Sequence, residues 1–259
     1  VRSVGVVEWQ SLGTTGMTYD LPPGTYQIRV IADGYLPWLH PVQVSESGTK
    51  SVNVDLTSTT GMVRIPGGPF RIGHPAVNEQ RQRNIVLDDY WIDTHEVTAA
   101  TYRQFDPRYS PPASYEQSAP VVGVSYYQAR DFCRAAGKRL PSEDEWERAC
   151  RGETGARFGY GEYYDPLLTD ARTENQAGSA PSLNLPPTAH GIYGMSGGVW
   201  EWCESNSTEP DSENQRALRG GAWRMKEPAT RSDCVFRLVM SANKEGTTPF
   251  GFRCAADAD

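Results

Sequence analysis

In the first 56 residues, hydrophobic positions recur every second residue. Tyr26, Ile28 and Val30 alternate with Gln27 and Arg29, and Val52, Val54 and Leu56 alternate with Asn53 and Asp55. Period-two patterning predicts strands with one buried face. Pro22, Pro23 and Gly24 break the chain before the first run, and Asp33-Gly34 after it. The expectation for residues 1–60 is a small antiparallel β-sandwich of meander or Greek-key type. A short polar linker, Thr57-Ser58-Thr59-Thr60-Gly61, closes it.

Residues 61–259 read as a second domain in which the period changes. Ser125 and Gln128 have capping-box spacing, and Ala129, Phe132, Cys133 and Ala136 form one apolar stripe before Gly137. Ser142 and Glu145 repeat the capping box, with Trp146, Ala149 and Cys150 on the inward face and Gly152 as the stop. A shorter helix is expected near Thr98, with Tyr102 and Phe105 inward. Beyond Gly152 the chain is glycine, proline and short apolar runs. Such a stretch in a compact domain needs cross-links or bound ions to order it.

Composition narrows the classes. The chain has 259 residues, 38% hydrophobic and 22% charged, which excludes wholesale disorder. No run of 18 apolar residues exists, so no transmembrane segment is expected. No basic-then-apolar stretch opens the chain, so any export signal is expected to be missing from this sequence. A net charge of -7 without a basic block argues against nucleic acid as a partner. The five cysteines form no C-x-x-C pair, and His40, His74, His95 and His190 are far apart. Arithmetic leaves two disulfides and reduced, buried thiols equally open; cytosol favours the second and export the first.

Five stretches carry a family resemblance when taken in order. They are "GMVRIPGGPFRIG" (61–73), "YWIDTHEVTAATYRQF" (90–105), "PVVGVSYYQARDFCRAAGKRLPSEDEWERACRG" (120–152), "GIYGMSGGVWEWC" (191–203) and "RALRGGAWR…GFRCAAD" (216–257). Together they resemble the formylglycine-generating enzyme, or sulfatase-modifying factor, family. The resemblance implies an α+β, C-type-lectin-like domain with low regular secondary structure. The preceding "LPPGTYQIRVIADGYLPW" resembles the turn-and-strand core of PEGA-type surface domains. In exported family members the cysteine of the "DFC" helix pairs with that of the final "GFRC", and that of "RAC" with one soon after R-G-G. The resemblance therefore implies Cys133–Cys254 and Cys150–Cys234, leaving Cys203 as a buried small hydrophobe beside Trp200 and Trp202.

The resemblance also defines what is missing. Oxidase members bind copper(I) through two cysteines placed four and nine residues beyond R-G-G. Here those positions are Met225 and either Ala229 or Thr230, and the serine after R-G-G is Ala222. One thioether does not replace two thiolates at a redox copper site. A related branch uses iron held by histidines on an additional helical domain; no such domain is expected here, and the four histidines lack that spacing. No copper or iron is expected.

Calcium is the cofactor expected, in a structural role. By resemblance, one site uses the loop before W-E-W, at Gly194, Gly197, Val199 and Glu201, and another maps near Asn175 and Gln176. The competing reading has Glu201 capping or ion-pairing inside the core. Trp200 and Trp202 read as core.

The stretch from Trp223 to Phe250 mixes apolar and charged groups. Trp223, Arg224, Met225, Lys226, Glu227, Phe236 and Met240 are read as a partner-binding patch; the competing reading makes half of the stretch core strand. Arg219, Arg237 and Arg253 are expected in buried ion pairs. Asn206-Ser207-Thr208 is a chance-level glycosylation sequon.

Three functions compete. The first is a non-catalytic, exported binding or regulatory protein, periplasmic or extracellular and in one version membrane-associated, that engages a protein partner. Its specific version resembles the periplasmic factor-like protein that acts with a membrane serine/threonine kinase to switch on type VI secretion, by binding the kinase's periplasmic sensor region. The second is a formylglycine-generating oxidase with atypical ligands. The third is a retroelement-diversified ligand-binding protein.

Overall fold

The fold is described from a computed structural model, covering all residues except 1, 4–10, 12–17, 37, 46–48, 50, 53, 55, 76, 78–81, 112–114, 170–184, 205–213, 224, 245–248 and 259. The chain divides into two compact units, the first spanning Val1–Thr60 and the second Gly61–Ala258.

In the first unit, β1 (Arg2–Ser3), β2 (Gly24–Val30) and β3 (Trp38–Val44) form an antiparallel sheet in that order. The first hydrophobic run is β2, and Tyr26 is buried on it with Val42 opposite. Its hydroxyl donates to the Pro22 carbonyl at 2.8 Å. The second run forms no strand among its described residues. Val52, Val54 and Leu56 are half-buried outside any ladder, and β3 comes from Trp38–Val44 instead. The reason is proximity. The Asp33-Gly34 turn reverses the chain at once, so β2 pairs with the segment directly after that turn, from Gly24↔Val44 to Val30↔Trp38. Pro41 hid this strand from pattern reading, yet at a sheet edge it costs no ladder bond. The expected linker is attached to this unit, because Leu36 N–H donates to the Thr57 carbonyl and Thr59 N–H to the Gly34 carbonyl.

The second unit begins with β4 (Met62–Ile65), β5 (Gly68–Ile72), β6 (Arg83–Leu87) and β7 (Tyr90–Asp93). Three helices come next: α1 (Ala99–Phe105), α2 (Tyr126–Ala135) and α3 (Glu143–Arg151). The rest holds β8 (Trp200–Trp202), β9 (Gln215–Arg219), a single turn α4 (Pro228–Arg231), β10 (Leu238–Ser241), β11 (Phe250–Gly251) and β12 (Ala255–Asp257). The sheets are β10-β9-β8-β11, β12-β7-β4 and the hairpin β5-β6.

Both capping boxes form. Ser125 and Gln128 exchange bonds at the start of α2, and Ser142 and Glu145 at the start of α3. Thr98 caps α1 through Thr101 N–H at 3.1 Å. Two expected inward side chains differ. Phe105 is 42% exposed because α1 ends there, although its ring still meets Phe132 at 5.4 Å. Ala136 is the exposed C-cap of α2.

Two core clusters result. One gathers α1, α2, Trp200, Trp202, Phe250 and Phe252. The other gathers Ile65, Tyr90, Ile92, Trp146, Cys150, Cys203 and Cys234. Disulfides join Cys133 to Cys254, with Cα atoms 5.7 Å apart, and Cys150 to Cys234, 5.8 Å apart. This is the pairing the resemblance implies. The glutamates of α3 complete the frame from within. Glu143 accepts from Arg237 at 2.7 Å, and Arg219 reaches Glu143 at 3.3 Å and Glu147 at 3.2 Å. Arg219 is buried, so these pairs tie β9 to α3 inside the core.

Candidate functional site

The segment beyond β9 is shaped by backbone. Gly220 and Gly221 have φ of 90° and 81°. A Cβ on Gly221 would stand 2.9 Å from both the Arg231 carbonyl and the Met225 sulfur. Two glycines therefore let the Met225 side chain fold back, and its sulfur accepts from Ala222 N–H at 3.4 Å. Glu227 then enters α4 with φ 54° and ψ 57°. A left-handed non-glycine residue costs about 1–2 kcal/mol, so this turn is held by its surroundings.

Arg231 connects the parts of the expected patch. Its carbonyl abuts Gly221, its guanidinium lies 5.8 Å from the Phe236 ring, and its Nε is 3.9 Å from Glu227. Met225 and Phe236 are half-buried, while Lys226 and Glu227 are exposed. Met240 is half-buried on β10, opposite Arg216 of β9. Trp223 differs from the expectation. It is 7% exposed in the larger core cluster, with its ring 6.4 Å from Tyr115, and serves as floor rather than contact surface. Its backbone N–H donates to the Gly198 carbonyl at 3.0 Å, an anchor no sequence pattern displays. Arg224 lies outside the described residues.

The chemistry available at this segment is limited. Ala229 and Thr230 are exposed on α4, and Met225 alone carries sulfur there among the described residues. Four of the five cysteines are in disulfides. The fifth, Cys203, is fully buried, and burial pushes its thiol well above the usual range. A thiol of that kind is protonated and inert. The native protein is therefore expected to leave Cys203 unmodified by iodoacetamide at pH 8, with full labelling only in denaturant; mass spectrometry decides it, and rapid native labelling would show the site to be open.

The loop before β8 has a different character. Gly194, Gly197 and Gly198 have φ of 73°, 115° and 74°. Glu201 does not face this loop as a lone acid. Its carboxylate accepts from Arg253 Nε and Nη2, each at 2.7 Å, and from Trp146 Nε1 at 2.8 Å. Arg253 also donates to the Asp93 and Tyr193 carbonyls, at 3.1 and 2.8 Å. Burial opposes the charge on Arg253, but Glu201, Glu96 and Asp93 together raise its pKa above the ordinary arginine value. The geometry thus displays Glu201 as the acid of a buried ion pair.

Glu96 is the residue that sequence reasoning missed. It is buried, with its Oε2 3.6 Å from Arg253 Nη2. A Cβ added to Gly194 would overlap its carboxylate, and one on Gly198 would come to 2.9 Å. The carboxylate therefore occupies the space a side chain at position 194 would fill. Among the described residues no backbone N–H is hydrogen-bonded to the carbonyl of Gly194 or Gly197. The only sequence signal was an acid set directly before buried Val97 in "DTHEVT". Asn175 and Gln176, the other expected calcium positions, lie outside the described residues, as does the sequon.

Residues 49–258 match the family described as the sulfatase-modifying factor enzyme 1-like domain. The chain belongs to the sulfatase-modifying factor family. Residues 6–60 match the PEGA domain. The relatives divide by activity. The chain is 27% identical to the formylglycine-generating enzyme of Streptomyces coelicolor, over 78% of this chain and 91% of that one. It is also 27% identical to the inactive C-alpha-formylglycine-generating enzyme 2 of Bos taurus, over 77% and 89%. The serine/threonine-protein kinase Pkn1 of Chlamydia trachomatis is 31% identical over 241 residues, which are 76% of this chain but only 38% of the kinase. The chain thus spans well under half the length of that relative. Treponema denticola variable protein 1 superposes with a TM-score of 0.63 at 23% identity, over 75% of this chain and 94% of that one. This gives the sulfatase-modifying-factor version of the C-type-lectin-like fold, with few helices and several small sheets. Two disulfides in a member of this family mark an exported protein.

Proposed function

We propose that this sulfatase-modifying factor domain is a non-catalytic binding or regulatory module that engages a protein partner. The observation that carries the reading is the Met225 segment. Where oxidase relatives are expected to place two copper-binding thiolates, this chain has a thioether folded onto Ala222 N–H and an exposed Ala229–Thr230 turn. The same segment offers a half-buried apolar floor, Met225 and Phe236, rimmed by the charges of Lys226 and Glu227. That is the make-up of a contact surface rather than of a reaction centre.

The finer form places the protein in the periplasm, where it binds the exported sensor region of a serine/threonine kinase that controls type VI secretion. Support comes from kinship with kinase-containing relatives. The test is calorimetry with the sensor region of the kinase encoded nearest to this gene. Binding on the order of micromolar or tighter is expected. No heat at tens of micromolar, roughly the strength of a weak transient contact, removes the kinase version. The oxidase alternative is tested with a sulfatase-motif peptide, copper and oxygen; no aldehyde mass is expected, and its appearance would overturn the non-catalytic reading.

A further inference from the structure

We infer that the partner is captured as an added β-strand along the outer edge of β10, through an extended, acidic segment. This occupant rests on the binding reading above and deepens it by naming the form and charge of what binds. β10 stands at one end of the sheet β10-β9-β8-β11, so one of its sides has no neighbouring strand. The pairing decides which groups face that side. Ala242 N–H donates to the Asn214 carbonyl at 2.8 Å, and the same register runs through Met240↔Arg216 and Leu238↔Leu218. In an antiparallel ladder the hydrogen-bonded pairs recur every second residue. Leu238 and Met240 therefore give their backbone groups to β9, while Val239 and Ser241 direct theirs outward. The Ser241 carbonyl accepts from Lys244 N–H at 2.9 Å. Among the described residues, the N–H and C=O of Val239 and the N–H of Ser241 have no partner. An outward donor and acceptor on one residue are what a further strand pairs with.

Position and charge choose the occupant. Phe236 of the Met225 surface lies two residues before β10, so a strand added there continues that surface. Leu238, Val239 and Met240 are half-buried and alternate between the two faces of the sheet, leaving apolar area on both for an added strand to cover. The charges around the edge are mostly positive. Arg231 lies 5.8 Å from the Phe236 ring, Lys244 follows the end of β10, and Lys226 is exposed in the Met225 segment. Of the acids between 214 and 244, Asp233 is buried on Arg157 and only Glu227 is exposed. The chain as a whole carries -7. A cationic edge on an anionic molecule favours an acidic partner. A second copy of this chain would bring the same cations together across the new ladder, which disfavours it.

The test uses the full chain and two short fluorescein-labelled peptides, in which valine alternates with glutamate or with lysine. Anisotropy should show the glutamate peptide binding and the lysine peptide not. Raising salt from about 50 to about 300 mM should weaken that binding severalfold. Val239→Pro removes an N–H that β9 does not use, so circular dichroism and melting temperature should stay close to wild type. Its affinity for the glutamate peptide should fall roughly tenfold or more. Wild-type affinity in folded Val239→Pro overturns strand addition. Should that variant not fold, amide exchange in wild type decides: slower exchange at Val239 with the glutamate peptide bound supports the added strand, and unchanged exchange overturns it. No binding of the glutamate peptide, or equal binding of the lysine peptide, overturns the acidic segment. A dimer that Val239→Pro dissociates would make a second copy the occupant and overturn it too. Sensor-region binding that Val239→Pro leaves unchanged keeps the contact surface and removes only the added strand.

Discussion

Replacing Cys133 and Cys254 together by alanine should lower the melting temperature by about 10–20 °C. The bridge closes a loop with a sequence separation of 121. Loop-closure entropy for that length gives about 5 kcal/mol. In a domain of this size each kcal/mol moves the midpoint by about 2–4 °C. Both sulfurs are buried in the larger core cluster, so the lost packing adds to the entropy term. The measurement is a calorimetric scan of the double variant, with mass spectrometry confirming that Cys150–Cys234 is still oxidised. A fall of less than about 5 °C would mean that the unfolded chain is held compact by other means, and the entropic account would fail.

Arg253→Met should come next in severity, at about 3–5 kcal/mol. The side chain is fully buried and holds Glu201 through two bonds of 2.7 Å. Methionine fills much of the volume but strands the buried Glu201 carboxylate without its counter-charge. The backbone carbonyls of Asp93 and Tyr193 lose their donor at the same time. Adding Glu201→Gln to this variant should recover part of the loss, because a neutral amide costs less to bury than an unpaired charge. Chemical denaturation of the two single variants and the double variant gives the coupling energy. Strict additivity would show that Arg253 acts through the carbonyls alone.

The features of this fold that are legible along the chain are the local ones. The caps at Ser125 and Ser142 are settled by residues three apart, so the pattern and the structure agree. The strand at Trp38–Val44 was hidden because Pro41 breaks its alternation, and only the neighbouring turn selects it. The carboxylates of α3 read as an ordinary charged helix. Their partners Arg219 and Arg237 lie far along the chain, at separations of 72 and 94. The arginines themselves were expected in buried ion pairs, but nothing in the sequence points to Glu143 and Glu147 of α3 as their partners. Trp223 looked like a surface aromatic, because a single residue in an irregular loop has no periodicity to reveal its direction. Glu96 escaped for the same reason: its meaning depends on Gly194 and Gly198, far downstream.

The two bridges also set the order in which this chain can mature. Each links a helix in the middle of the sequence to a residue near the far end of the domain, at 234 or 254. A polypeptide threaded through a translocation channel from its N-terminal side presents Cys133 and Cys150 to the oxidant first. They are only 17 residues apart, so their mutual, incorrect bridge closes at a lower entropic cost than either correct one. Where that early bridge forms, thiol-disulfide exchange must reopen it before either native pair can close. The yield of correctly bridged protein in a host should track its isomerase capacity more than its oxidising power.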